Sequence, residues 1–81
     1  MKHIILAQNI NTAKNGLQDI IKNIIILENS NEQTTLNINE IKINSNIYLD
    51  KLKNIDINIS EVDEILSFIS SNHKAIFKIF T

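Results

Sequence analysis

From Leu6 to Leu27 the apolar residues Leu6, Ile10, Ala13, Leu17, Ile20, Ile24 and Leu27 follow one another at alternating intervals of four and three. This is the heptad spacing that keeps a stripe on one side of a helix. Two readings compete here. In one, residues 4–28 form a single helix. In the other, His3–Ala7 is a short strand built on the apolar cluster Ile4, Ile5 and Leu6, and the helix starts near Asn11 or Thr12, both good N-cap residues. Residues 12–28 are helical in both. The second reading is preferred, because Gln8-Asn9-Ile10-Asn11 is weak helix material. Gly16 costs this helix about 1 kcal/mol relative to Ala. Ile21 and Ile25 widen the stripe beyond a seam, as expected of a helix packed on a sheet. The polar run Glu28-Asn29-Ser30-Asn31 then ends it as a loop.

Residues 34–59 alternate. Leu36 and Ile38 share one parity, and Ile41 and Ile43 the other, so a bulge or turn is expected at Asn39–Glu40. Asn44-Ser45-Asn46 reads as a tight turn. Ile47 and Leu49 alternate with Tyr48 and Asp50, Lys51-Leu52-Lys53-Asn54 reads as a connection, and Ile55, Ile57 and Ile59 give the cleanest alternation in the chain. The pattern predicts a strand meander with one buried face.

Ser60-Glu61-Val62-Asp63 fits a capping box, with Val62, Ile65, Leu66 and Ile69 as the buried stripe of the helix that follows. Asn72 is the expected C-cap, after Ser70-Ser71 weakens the helix. Ala75-Ile76-Phe77-Lys78-Ile79-Phe80 then reads as an inner strand, its rival being continuous helix to the end. The expected fold is therefore α+β: a single domain over residues 1–81, βαββαβ-like, two-layered, with two helices on one face of the sheet. That layout resembles a ferredoxin-like sandwich, an arrangement shared by many unrelated functions. Residues Ile55–Ile59, the helix after them and Ala75–Phe80 also resemble the strand–helix–strand half of a STAS-type regulatory domain. The resemblance implies a regulatory role, with Ser60 near that family's phosphorylatable serine. The family's glycine-containing turn is missing here.

Composition narrows the class. The 81 residues include nineteen Ile, thirteen Asn and a single Gly, with no Cys, Pro, Trp or Arg. An AT-rich coding sequence produces such a bias, so the Asn content carries no function by itself. The absence of Cys removes disulfides, thiolate metal sites and a thiol nucleophile, and suits a cytoplasmic protein. The apolar run at the start is too short for a signal-peptide core, and Ile24–Leu27 is far too short to span a membrane. Net charge is −1. Residues 28–64 hold eight acids against Lys42, Lys51 and Lys53. This acidic middle, and the lack of Arg, argue against nucleic-acid binding, which favours a basic patch.

No constellation of residues carries chemistry. His3 and His73 show no ligand spacing. Glu61, Asp63 and Glu64 are explained by a helix start. Ser60 is explained as a cap, and one glycine cannot build a phosphate loop. The expected function is a non-enzymatic interaction or regulatory module without cofactor or metal. It is expected to self-associate as a homodimer or to bind a protein partner, in the manner of an accessory, inhibitor or immunity-type protein. Leu17, Ile21, Ile24 and Tyr48 are the candidate self-interface, and Asp50, Asp56 and Glu61 the candidate contacts for a basic partner. A small nucleic-acid-binding module is the alternative.

Overall fold

The computed structural model describes residues 2–30 and 34–80, with the side chains of Lys2 and His3 outside the description. Three helices make up the fold: α1 (Lys2–Asn29), α2 (Ile38–Leu52) and α3 (Ile59–Phe80). The described residues contain no strand, so the protein is an all-α helical bundle and not an α+β sandwich. The shape is elongated, 45 × 21 × 15 Å.

The long-helix reading of the first segment holds. His3–Ala7 is helical, not a strand, and α1 runs unbroken for 28 residues. Its heptad seam supplies the middle of the core: Ala13, Leu17, Ile20, Ile24 and Leu27 are buried, and Leu6 and Ile10 pack against them. The β-branched Ile and the Asn residues are modest helix formers. The helix is therefore held by tertiary packing of this seam more than by local preference.

The expected meander is α2 and its flanking loops. Ile41, Ser45 and Leu52 form the buried stripe of α2, with Ile38, Tyr48 and Leu49 half-buried beside it. The residues that alternated in sequence fall on opposite sides of this helix, so Ile41 is buried while Ile43 is exposed. A polar residue at the centre of the stripe disguised the helical period. Ser45 is fully buried, its hydroxyl donating to the Ile41 carbonyl at 2.7 Å. This i−4 bond satisfies the hydroxyl without a partner elsewhere.

Ile55, Ile57 and Ile59 alternate without forming a strand. Ile55 lies in a turn, Ile57 is the buried residue of the α2–α3 connection, and Ile59 opens α3. The turn is an Asx turn, with Asn54 Oδ1 accepting from the Asp56 amide at 2.9 Å.

Helix α3 begins at Ile59, one residue before the predicted capping box. Asn58, not Ser60, is the cap: its Oδ1 accepts from the Glu61 amide at 2.9 Å, and Glu61 Oε2 accepts from the Asn58 amide at 3.4 Å. Helix α2 starts in the same way, with Asn37 Oδ1 accepting from the Glu40 amide at 3.1 Å. The two starts, Asn37-Ile38-Asn39-Glu40 and Asn58-Ile59-Ser60-Glu61, are near-repeats of one capping sequence.

Residues 75–80 continue α3 rather than forming an inner strand, and Ile76 is buried in the core. Asn72 does not end the helix. Its side-chain amide donates to the Phe68 carbonyl at 2.8 Å inside it. With neither flanking strand present, the STAS-like and ferredoxin-like layouts are both excluded.

Helix α1 is the spine, carrying most of the interhelical contact, while α2 and α3 touch each other little. A Cβ built on Gly16 would lie 2.9 Å from Ile69 Cγ2 and 3.1 Å from its Cδ1. The lone glycine thus leaves room for Ile69 of α3 against the α1 backbone. Ile69 stands level with Gly16, and His73 and Ile76 stand beside Asn23, so α3 runs parallel to α1. Between them in sequence, α2 returns antiparallel. It is tied to the end of α1 by Lys42 Nζ and Glu28 Oε1 at 3.2 Å.

Candidate interaction surface

The helices distribute the expected interface residues over three environments. Leu17 and Ile24 are fully buried inside the chain's own core. Ile21, one position from Ile20, is half-buried at the edge of that core. Tyr48 is half-buried on α2, its ring packed edge-on against Phe68 of α3 at 5.0 Å and 64°. This aromatic pair is one of the few links between α2 and α3, and Lys51 Nζ stands 5.9 Å from the Tyr48 ring centre.

Asp50, Asp56 and Glu61 are all exposed. The fold gathers them at one end, because they sit in the last turn of α2, in the connection and in the first turn of α3. Asp50 lies 3.7 Å from Lys53, both side chains being open to water, so the pair contributes little to stability. Glu61 is engaged by its own helix cap.

Among the described residues, open depressions lie beside α1. One, about 360 Å³, lies where α2 ends beside α1 and is lined by Ile10, Leu49 and Leu52 with Lys14, Gln18 and Lys53. Another, about 220 Å³, lies between α1 and α3 and is lined by Asn23, His73, Ile76, Phe77 and Phe80. His73 is exposed there without a carboxylate in the lining. Among the described residues no group of three or more His, Asp or Glu side chains converges as a metal site would require. The side chain of His3 falls outside the description.

The strongest surface feature escaped the sequence reading. Large apolar side chains remain exposed after the core is complete, among them Ile5, Ile26, Ile43, Ile47, Ile55 and Ile59. Phe77 and Phe80 join them at 67% and 48% exposure, so two of the three Phe residues face water. The signal was present in the spacing. Ile59, Asp63, Leu66, Ser70, His73, Phe77 and Phe80 repeat the four–three interval of α1. A strand over residues 75–80, the expectation from sequence, would break this interval; the continuous helix α3 completes it. On the outer side of α1, Ile5, Thr12, Asp19 and Ile26 recur every seven residues.

No protein-family model matches the chain, and no curated protein or solved structure resembles it at a significant level. The helices, their seams and the exposed apolar surface therefore carry the functional reading. No helix among the described residues is long and apolar enough to cross a membrane.

Proposed function

We propose that this chain is a non-catalytic interaction module that binds a second copy of itself, in the cytoplasm. The observation that supports the reading is the exposed apolar surface: among the described residues, ten large hydrophobic side chains stand open to solvent. Single exposed hydrophobics are ordinary; here Ile5 and Ile26 on α1 and Ile59, Phe77 and Phe80 on α3 are all exposed on the two helices that run side by side, and clustered apolar surface marks contact sites. Small size adds weight. A domain of this length buries only roughly 60–65% of its unfolded surface, and association is a common remedy for the small margin this leaves.

The heptad seam of α1 is used up inside the chain, so self-association has to draw on the surface outside that core. The solution mass of the purified protein, followed by light scattering through a dilution series, tests the reading. A dimer that dissociates on dilution is the expected result. A monomer at every concentration overturns it.

A further inference from the structure

We infer that the second copy packs antiparallel across the face shared by α1 and α3, in one register set by the outer seam of α3. The inference rests on the self-association proposed above and adds its geometry.

A helical seam can pair with itself in few ways, and most of them mismatch here. In an antiparallel heptad pairing the two kinds of seam position alternate across the interface, so residue numbers facing one another share a constant sum. For a sum of 136, Ile59 of one copy faces Phe77 of the other, Asp63 faces His73, and Leu66 faces Ser70. Apolar meets apolar at the ends. A carboxylate meets an imidazole that can donate to it, and the small Ser70 leaves room for Leu66. Shifting the register by one heptad sets Asp63 against Phe80 (sum 143) or against Leu66 (sum 129), and either leaves the carboxylate without a polar partner. Parallel pairing sets Asp63 against Asp63, which is repulsive.

Helix α1 supports the same register independently. The two-fold centre on α3 falls at residue 68. Because residue 69 is level with residue 16, that centre projects to about residue 15 of α1. The exposed Ile5 and Ile26 lie symmetrically about this level. The rotation that brings Ile59 onto Phe77 therefore also brings Ile5 onto Ile26. Four apolar positions on two helices thus share one symmetry axis, which is the self-complementarity a two-fold interface demands.

The face is large enough. Helix α3 is about 33 Å long, and two adjacent helices span roughly 20 Å, giving roughly 650 Å² in projection. A standard interface covers about 800 Å² of accessible surface per partner, and accessible surface exceeds projected area.

The chain has no cysteine, so single-cysteine variants are clean probes. Ile59→Cys and Phe77→Cys both alter exposed positions and are expected to keep the helix content of the parent, checked by circular dichroism. The two are mixed and treated with a short thiol-to-thiol cross-linker. The predicted product is a covalent dimer joining unlike variants, much more abundant than either like-with-like product. Like-with-like dimers, or a non-covalent dimer by light scattering with no cross-link at either site, overturn the register while leaving self-association intact. A parent protein that is monomeric at every concentration overturns both.

Discussion

Burial and capping assign single residues distinct weights. Leu17 and Ile24 have no exposed surface, so Leu17→Ala or Ile24→Ala is expected to cost about 2–5 kcal/mol in urea unfolding. Ile55, 95% exposed, is expected to change stability by less than about 0.5 kcal/mol when replaced by Ala. Gly16 is the sharper case. Ala there gains about 1 kcal/mol of helix preference but drives a methyl into the stiff, β-branched Ile69, and overpacking costs about 1–3 kcal/mol. Gly16→Ala is therefore expected to destabilise the parent protein and to stabilise an Ile69→Ala background. The same sign in both would mean that Ile69 does not govern the site. Several of the Asn residues also have definite local roles: Asn37 and Asn58 cap helices, Asn54 closes a turn, and Asn46 and Asn72 bond back to carbonyls one helical turn earlier.

At the scale of the element, the two Asn caps, Asn37 and Asn58, decide where α2 and α3 begin. Asn58→Ala is expected to cost about 1 kcal/mol and Ser60→Ala only a few tenths, since Asn58 alone makes the cap bond. Equal effects in urea unfolding would restore Ser60 as the cap. How much of each element was legible follows the same physics. Helix α1 announced itself through an uninterrupted heptad seam, yet Gln8-Asn9-Ile10-Asn11 argued locally for a break that packing of Leu6 and Ile10 overrides. Helix α2 was hidden because Ser45 holds a core position. A hydroxyl there breaks the helical hydrophobic period and leaves only the alternation of Ile with polar residues, which mimics a strand. The end of α3 was hidden because β-branched and aromatic residues crowd both of its sides. One set of them is core and the other is surface, a division visible only once Ile76 is placed against α1. Of the surface features, the outer seam of α3, where Ile59, Phe77 and Phe80 are exposed, required knowing that residues 75–80 are helical.

At the scale of the whole molecule, a single spine helix spends its best seam on holding the chain together. The flanking helices keep apolar residues on their outer sides. This division explains why the heptad pattern of α1 and the exposed pattern of α3 have different fates. Phe77→Glu is expected to leave the fold intact, because its side chain is mostly exposed, and to weaken the dimer about tenfold or more. Ile47→Glu, on the outer side of α2, is expected to leave the dimer unchanged. Concentration-dependent masses of the two variants by light scattering check both. The most direct test is an isotope-filtered nuclear Overhauser spectrum of an equimolar mixture of labelled and unlabelled protein. The account predicts intermolecular contacts between Ile59 methyls and the Phe77 ring, and between the methyls of Ile5 and Ile26. Intermolecular contacts confined to Ile43 and Ile47 of α2, or none at a concentration where the protein is dimeric, would contradict it.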